Sequence, residues 1–421
     1  MATQPVWRWL GSRLLILGLC LALSGCQPRP ADLAIHLTLW HGINPPANRL
    51  VFERLVDQFN RQHPKLQIEA RYIGQADQQL PKILAAVVGN AAPDLLWYAP
   101  TLTGQLVELQ AIRPLENWLE TSGLLDTLEP ALLSTMTWEN HLWSVPMATN
   151  NVGLFYRPSL FQKAGISQLP RTWAELQTVA QRLTQDTNGD GRPDQYGLLL
   201  PLGQGEWTVF TWLPFGFGAG GELTTAGRPQ VDNPGNLAAL QFWADLVKSG
   251  AARLSQPERG YEQEDFLQGK VAMQLTGPWT LGYLDETGVD YGVMSIPQAG
   301  RPATVLGGEN LFVCATTPER ETAAREFLAY VLSEDFQQTW ATQTGYLPVN
   351  QAVRQSAPYQ AWLRERPAVA VFLDQMATAQ SRPLAPGYSR LSRALGRAIE
   401  ATLLGEFPDE ALRKAQQRLA P

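Results

Sequence analysis

The chain has 421 residues, of which 45% are hydrophobic, and carries a formal net charge of −6 with three cysteines. This length is enough for two hydrophobic cores of ordinary size and long for one, so two lobes are expected. The charges of both signs are mixed along the chain without a basic stripe, which argues against nucleic acid as a partner.

The N-terminus has the order of features found in an export signal. A leader with two arginines precedes an apolar run from Leu14 to Leu23, and small residues then precede Cys26. This order resembles a bacterial lipoprotein signal over residues 1–25, with Cys26 as the lipid acceptor and 26–32 as a lipidated tether. The apolar run is too short to cross a bilayer, because ten helical residues cover about 15 Å of a core of roughly 30 Å. The alternative is an ordinary cleaved signal with an incidental cysteine.

The remaining cysteine, Cys314, lies in an apolar run. With one cysteine left after the signal and the lipid acceptor, an intramolecular disulfide and a paired-cysteine metal site are both excluded. Cys314 is therefore expected to be a buried strand residue.

Strands and helices alternate from the start of the body. Residues 35–39 alternate between apolar and polar, and apolar residues in 51–59 recur at helical spacing until His63-Pro64. Alternation over 66–72 predicts a second strand, and 94–98 a further buried strand after another helix. This order implies right-handed parallel crossovers, so the first lobe is predicted to be α/β, with ligands beyond the carboxyl ends of its strands.

Later segments repeat the alternation. The region around Pro146 is interpreted as a crossover between lobes, followed by a strand over 152–156 and a helix over 172–183. A further helix is predicted to start at Thr317-Pro318, because proline is favoured in the first turn.

Several short motifs then occur in a recognisable order. They are Trp40-His41-Gly42, Ala92-Pro93-Asp94-Leu95-Leu96, Gly153-Leu154-Phe155-Tyr156, Met273-Gln274-Leu275-Thr276-Gly277-Pro278-Trp279, Gly307-Gly308 and Thr344-Gly345-Tyr346-Leu347-Pro348. Together with the lipoprotein signal they resemble the family 1 extracellular solute-binding proteins. That family includes the binding components of ABC importers for maltose, trehalose and glycerol 3-phosphate.

The resemblance implies an α/β, two-lobe periplasmic-binding-protein fold of the type II kind, with a hinge and a ligand cleft between the lobes. The implied lobes are 33–147 plus 305–350 and 148–304 plus 351–421. It also implies a monomer that captures a sugar or polyol and delivers it to an ABC permease. The expected location is the periplasmic face of the cell envelope, lipid-anchored through Cys26.

Tryptophan and tyrosine side chains at strand ends are candidates for the sugar site. A pyranose has apolar C–H faces and a rim of hydroxyls, so it needs flat aromatic rings beside polar groups. The candidates at loop or strand-end positions are Trp40, Tyr98, Trp207 and Trp279. Trp212, Trp243 and Trp340 lie in apolar or helix-like surroundings and are expected in the cores.

Polar candidates follow from position in the motifs that carry the resemblance. They are His41, Gln75, Asp77, Thr101, Asn150, Glu309 and Tyr346, joined by Gly307 and Gly308, where the main chain could approach a ligand closely. The alternative interpretation is that the polar residues are solvated loop residues and that the glycines are turn glycines.

The ligand is expected to be a neutral sugar, an oligosaccharide or glycoside. None of the cleft motifs contains an arginine, whereas a phosphate needs an arginine fork or a row of main-chain N–H groups. The alternative is glycerol 3-phosphate or a glycerophosphodiester, with Arg382, Arg390 or Arg393 reaching into the cleft.

The segment 186–194 matches the spacing of a calcium loop. Its candidate ligands are Asp186, Asn188, Asp190 and Asp194, with glycine at the sixth position, but the twelfth position is Gly197 rather than glutamate. The alternative is a tight Asn-Gly, Asp-Gly turn. No cofactor is required, and calcium bound here would be structural.

A secreted glycosidase and a sensor lipoprotein are the remote alternatives. A glycosidase needs two carboxylates about 5 to 10 Å apart, for which Asp77, Glu206, Glu222 and Glu309 are available. Nothing in the sequence marks two of them as a pair, and no other catalytic motif occurs, so the protein is expected not to be an enzyme.

Overall fold

The computed structural model describes residues 34–420, without the side chains of residues 76 and 77. The signal 1–25, Cys26 and the tether 26–32 lie outside the described residues. The strands are β1 (Ile35–His41), β2 (Leu66–Tyr72), β3 (Leu95–Tyr98), β4 (Thr137–Trp138), β5 (His141–Leu142), β6 (Val145–Pro146), β7 (Gly153–Tyr156), β8 (Tyr196–Leu200), β9 (Thr224–Thr225), β10 (Arg228–Pro229), β11 (Ala252–Leu254), β12 (Val271–Thr276), β13 (Gly292–Met294), β14 (Thr304–Val305), β15 (Asn310–Val313) and β16 (Ala379–Gln380).

The helices are, in chain order, α1 (Pro46–Gln62), α2 (Ala76–Val88), α3 (Thr103–Glu108), α4 (Glu116–Thr121), α5 (Leu133–Met136), α6 (Pro158–Lys163), α7 (Trp173–Leu183), α8 (Glu206–Gly218), α9 (Pro234–Lys248), α10 (Glu264–Leu267), α11 (Leu281–Thr287), α12 (Pro318–Leu332), α13 (Glu334–Thr344), α14 (Gln351–Gln355), α15 (Ala357–Arg364), α16 (Pro367–Gln375), α17 (Tyr388–Leu403) and α18 (Pro408–Leu419). None of these helices is long and apolar enough to span a bilayer.

Two five-stranded sheets organise the molecule. The first has the order β2-β1-β3-β15-β6, with β1 parallel to β2 and β3 and with β15 antiparallel to its neighbours. The second has the order β11-β8-β12-β7-β13, with β8 parallel to β11 and β12 and with β7 antiparallel to its neighbours. We call the parts of the chain built on these sheets the first lobe and the second lobe. The predicted two-lobe α/β fold is confirmed.

Local sequence signals account for several element boundaries. Thr172 caps α7 by accepting the N–H of Glu175, whose side chain in turn accepts the N–H of Thr172. Thr317 caps α12 by accepting the N–H of Arg320, with Pro318 in the first turn of the helix. The alternation in β1 buries Leu37 and Leu39 completely. These predicted elements are confirmed within one or two residues.

The chain crosses between the sheets more than once. It leaves the first sheet after Pro146 and enters the second at Gly153, then returns between Met294 and Asn310. The crossing segments are held side by side by paired N–H and C=O groups of Asn150 and Gly307. The crossover predicted near Pro146 is confirmed, whereas the lobe limits at 147/148, 304/305 and 350/351 stay a prediction.

Each lobe has a hydrophobic core of its own. Trp340 lies in the core of the first lobe with Phe52 and Phe327, and Trp212 and Trp243 lie in the core of the second lobe. All three tryptophans are at most 1% exposed, so their predicted core positions are confirmed. Cys314 is also buried, and its backbone forms an isolated antiparallel β-bridge with Ile112 directly after β15.

The buried carboxylate of Asp94 connects three parts of the first lobe. It accepts the backbone N–H of Thr38 in β1 at 2.8 Å. Both of its oxygens accept from the Arg320 guanidinium in α12, at 2.6 and 2.7 Å. Because the guanidinium also donates to the carbonyl of His36, one two-pronged ion pair fixes α12 against the start of the sheet.

Replacement of Asp94 with alanine should lower the free energy of unfolding by about 3 kcal/mol, because Arg320 and the Thr38 N–H lose their common acceptor. Urea unfolding of the two proteins measures this difference. The control is Asp409→Ala, which breaks an exposed helix pair with Arg413 and should cost less than about 1 kcal/mol. Equal effects of the two changes would contradict the role given to Asp94.

Candidate ligand-binding cleft

A cavity of about 200 Å³ lies between the two lobes. The first lobe lines it with residues at or just after the ends of β1 and β3, such as Gly42, Tyr98 and Ala99. The second lobe lines it with Trp279, which follows β12, and with Glu206 in the first turn of α8. The carboxyl ends of parallel strands from both lobes therefore meet at this cavity, as expected for ligand sites in α/β sheets. We call it the inner cavity.

A second space of about 450 Å³ adjoins the inner cavity, and we call it the outer compartment. The two share six lining residues, which are Gln75, Tyr98, Ala99, Glu206, Glu258 and Tyr261. The outer compartment is lined further by polar side chains such as Thr101, Gln204 and Arg393. The cleft is thus continuous, with an aromatic inner part and a more polar outer part.

Aromatic rings form the wall of the inner cavity. The ring of Trp279 lies 6.0 Å from that of Trp207, 6.4 Å from Phe210 and 6.2 Å from Tyr346, measured between centroids. The ring of Tyr261 meets that of Trp207 edge-on, with 6.4 Å between centroids. Trp207 and Trp279 are partly exposed to the cavity, so they offer faces on which an apolar surface could stack.

The backbone around Trp279 requires glycine. A Cβ atom added to Gly277 would lie 1.9 Å from the Trp279 ring, so the ring can fold back over this position only when no side chain is present. Across the cavity, Gly308 has a φ of +114°, and a Cβ atom there would lie 2.3 Å from the Ala148 carbonyl oxygen. Gly277 thus allows the Trp279 ring to fold back, and Gly308 itself lines the inner cavity.

One buried ion pair stands in the cavity wall. Arg382 donates to Glu206 at 2.5 Å, and the hydroxyls of Tyr388 (2.8 Å) and Ser392 donate to the same carboxylate. The Arg382 guanidinium also lies over the Phe210 ring, 4.8 Å from its centroid. Burial alone would lower the pKa of Arg382, but Glu206 raises it above its ordinary value, so Arg382 stays charged.

Several other polar atoms that line the inner cavity have no partner among the described residues. The acceptors are Gln79 Oε1, Asn150 Oδ1 and Glu309 Oε2, and the donors are Trp207 Nε1 and Arg382 Nε. All are shielded from solvent. Unpaired buried polar atoms are costly, so their concentration here indicates a site that a polar ligand completes.

Eight of the predicted ligand residues line the inner cavity. They are Gln75, Tyr98, Asn150, Trp207, Trp279, Gly308, Glu309 and Tyr346. Thr101 lines the outer compartment instead. Gly307 lies behind the lining, where a Cβ atom would lie 2.1 Å from Asn150 Oδ1. The side chain of Asp77 lies outside the described residues.

Trp40 and His41 are not brought to either cavity. Trp40 packs against the hydrophobic cluster that includes Ile83 and Leu96. His41 is 1% exposed and lies against the rings of Phe52 and Tyr72. Both belong to β1 itself, so their side chains are committed to the two faces of the sheet. The first residue past the strand, Gly42, is the one that reaches the cavity.

Among the residues of the inner-cavity wall, sequence reasoning missed Phe210, Glu258 and Tyr261, and it considered Arg382 only for the alternative phosphate ligand. Phe210 belongs to α8, which is almost entirely buried and has no polar face to mark it. Glu258 accepts the N–H groups of Gln204 and Gly205 at the start of α8. Its φ of +58° is unusual for a residue other than glycine, and this strain is invisible in the sequence.

In the loop 186–194, carboxylate oxygens accept hydrogen bonds from backbone N–H groups of the same loop. Asp186 accepts the N–H groups of Gly189 and Gly191, and Asp194 accepts those of Thr187 and Asn188. Across residues 34–420, no group of three or more His, Cys, Asp or Glu side chains is arranged to hold a metal ion. This arrangement fits the predicted tight turn. A calcium site with Asp186, Asn188, Asp190 and Asp194 as ligands has no support from it.

Two α/β lobes joined by paired crossing segments, with a partly enclosed cavity between them, define a two-lobed solute receptor. The chain belongs to the bacterial extracellular solute-binding protein family, whose sequence model matches residues 54–366. The resemblance that the motifs carried is thereby confirmed, and the binding of an extracellular solute is the function of this family.

Relatives with different named solutes match over most of the chain. The maltotriose-binding protein of Pyrococcus abyssi is 22% identical over 322 residues, which cover 74% of this chain and 66% of that protein. The sn-glycerol-3-phosphate-binding periplasmic protein UgpB of Pectobacterium atrosepticum is 22% identical, and the match covers 92% of this chain and 91% of that protein. The crystal structure of the cyclic α-maltosyl-1,6-maltose binding protein from Arthrobacter globiformis matches with a TM-score of 0.77 at 27% identity. The match covers 92% of this chain and 98% of that chain.

The burial of His41 should make the stability of the first lobe depend on pH. Burial, aided by the positive charge of Arg49, lowers the pKa of His41 to about 4. The unfolded chain protonates this histidine near its ordinary value of about 6.5, so protons favour unfolding below that pH. Between about pH 6.5 and pH 4, His41 should remove about 3 kcal/mol of unfolding free energy.

Urea unfolding across this pH range measures the effect, and His41→Asn should flatten the dependence. The control is His36→Gln, an exposed histidine on the same strand, which should keep the slope of the original protein. A slope unaltered by His41→Asn would show that other groups cause it.

Proposed function

We propose that this protein is the substrate-binding lipoprotein of an ABC importer and that it captures a neutral sugar, an oligosaccharide or glycoside. The observation that carries the proposal is the pairing of aromatic rings with unpartnered acceptors and donors in one cavity. A sugar hydroxyl both donates and accepts, so a ring of hydroxyls can satisfy Asn150, Glu309 and Trp207 together, while its C–H face packs on Trp279. Relatives named for maltotriose and for a cyclic maltose derivative support a sugar.

The charges around the inner cavity favour a neutral ligand over a phosphate. Arg382 is the one basic side chain among the described residues lining the inner cavity, and it is already paired with Glu206. Glu258 and Glu309 add further acidic groups. A phosphate placed here would meet carboxylates without a free guanidinium fork.

A glycerol 3-phosphate or glycerophosphodiester ligand is the second candidate. The relative of Pectobacterium atrosepticum is named for glycerol 3-phosphate, and Arg393 and Arg397 line the outer compartment. A phosphate in the outer compartment would approach these exposed arginines rather than Arg382.

The remaining parts of the proposal concern the cell envelope and catalysis. We propose that Cys26 anchors the receptor to a membrane on its periplasmic face, that it acts as a monomer and that its partner is the membrane permease. Catalysis is not proposed. Of the carboxylates considered for a glycosidase, Glu206 is bound on both oxygens and Glu222 lies outside both cavities.

Thermal unfolding of the purified protein with maltose, trehalose, sucrose, glucosylglycerol or glycerol 3-phosphate tests the choice of ligand. A ligand present at 100 times its Kd adds about 2.7 kcal/mol to the unfolding free energy, which raises Tm visibly. We expect at least one neutral sugar to raise Tm. A shift with glycerol 3-phosphate alone would favour the second candidate, and no shift with any of the five would contradict both.

Replacement of Trp279 with alanine should weaken binding of the sugar that raises Tm by about 2 kcal/mol, or roughly thirtyfold, because a stacking face is lost. Isothermal titration calorimetry measures the change. The control is Trp118→Ala, which removes a partly buried tryptophan that packs on the first-lobe core away from the cleft. Trp118→Ala should lower Tm without weakening the sugar, and an unchanged affinity in Trp279→Ala would remove Trp279 from the site.

A further inference from the structure

Glu309 differs from the other two carboxylates that line the inner cavity. The Glu206 oxygens accept from Arg382, Tyr388 and Ser392, and the Glu258 oxygens accept backbone N–H groups. Glu309 Oε2 is sealed from solvent and accepts from nothing in the described part of the chain. It is therefore the carboxylate in this wall that has a free acceptor.

The groups that face Glu309 do not complete its hydrogen bonding. Arg382, from the segment between β16 and α17, acts on Glu309 through its charge but donates to Glu206 instead. Tyr346, from the segment after α13, also feels the charge of Glu309, and burial together with that charge raises the pKa of Tyr346 well above its usual range. Farther around the same wall are Glu258, Tyr261 and Tyr98, with Tyr388 behind Glu206.

Burial without a hydrogen-bond donor destabilises the charged form of the Glu309 side chain. Burial raises the pKa of Glu309 to about 7, and the charge of Arg382 opposes the rise only in part. In the receptor without ligand, the protonated form of this carboxyl group is therefore populated near neutral pH, unlike that of an ordinary glutamate.

We propose that Glu309 is a specificity-determining residue which accepts a hydroxyl hydrogen bond from the captured sugar as a carboxylate, so that capture of the sugar releases a proton from the cleft. The proposal rests on the proposed function, because it assumes a hydroxyl-bearing ligand. No covalent bond changes. The carboxyl O–H gives its proton to water in the adjoining outer compartment, and the sugar hydroxyl donates to the oxygen left behind.

The direction of the pH dependence follows from this exchange. A hydroxyl donor stabilises the carboxylate, so the pKa of Glu309 is lower in the complex than in the free receptor. Above the pKa of the free receptor the affinity is constant. Below it, the sugar must displace a proton, so the affinity falls with pH by up to a factor of ten for each unit. Binding at pH 6 should be about tenfold weaker than at pH 8.

Isothermal titration calorimetry with maltose, trehalose, sucrose and glucosylglycerol, each at pH 6 and pH 8, tests the proposal on the full chain. Repeating each titration in two buffers with different ionisation enthalpies counts the protons released, independently of any variant. We expect release of close to one proton per bound sugar at pH 6 and close to none at pH 8.

Two variants assign the proton to its residue. Glu309→Gln keeps the size of the side chain and an acceptor oxygen but cannot ionise, so its affinity should be the same at both pH values and its proton release should vanish. Glu222→Gln, an exposed glutamate outside the cleft, should behave as the original protein does. If Glu309→Gln does not fold, the absence of proton release from the original protein at pH 6 would still overturn the proposal.

The possible outcomes separate this inference from the proposed function. Binding with a tenfold loss at pH 6 that disappears in Glu309→Gln supports both. Binding that is independent of pH, or a proton release that persists in Glu309→Gln, overturns the inference and leaves the sugar receptor intact. No binding of any of the four sugars at either pH overturns the proposed neutral ligand and the inference with it.

Discussion

The ion pair between Arg382 and Glu206 is the constraint on which the cleft depends. Glu206 lies in the first turn of α8, while Arg382 and two further donors to the same carboxylate, Tyr388 and Ser392, come from a segment almost two hundred residues later. A buried guanidinium needs a partner, because an unpaired charge at this depth would cost several kcal/mol. The pair therefore fixes α17 and the segment before it against α8, and it sets the position of Phe210 beneath the guanidinium.

The same ion pair determines which polar groups of the cavity remain available to a ligand. Arg382 is paired with Glu206, and the open groups in the wall are three acceptors, on Gln79, Asn150 and Glu309, and the two donors Trp207 Nε1 and Arg382 Nε. Acceptors beside aromatic faces suit a ligand that brings its own O–H donors and has a flat apolar side. The inner cavity is also smaller than the pockets of roughly 300 to 1,000 Å³ that enclose whole drug-sized ligands. A single ring in the inner cavity, with the rest of the ligand in the outer compartment, agrees with both properties.

The sequence predicted those parts of the site that depend on local order. Strand ends follow from alternation and from the residues that stop it. Trp279 was predicted from its position after a strand and from the Thr-Gly-Pro-Trp motif that carries the family resemblance, and the structure adds that its ring folds back over Gly277. Two kinds of information were not local. The first is the exact end of a strand: His41 is the last residue of β1 and is buried, whereas Gly42 is the next residue and lines the cavity. The alternation of apolar and polar residues does not fix a strand end to a single residue. Arg382 and Phe210 meet only through tertiary packing of α8 against the C-terminal segment, for which no spacing in the sequence gives a signal.

The position of the free acceptors connects binding to the arrangement of the lobes. Asn150 lies in one crossing segment and Glu309 is the last residue of the other, and the two segments are paired through Asn150 and Gly307. Trp279, which belongs to the second lobe, accepts through its carbonyl from Asn48 of the first lobe at 3.2 Å. A ligand that bonds to these residues therefore contacts the connections themselves as well as the faces of the lobes. A ligand favours the arrangement of the two lobes to which it binds better. Contacts on the crossing segments affect this arrangement directly, because a small rotation there moves a whole lobe.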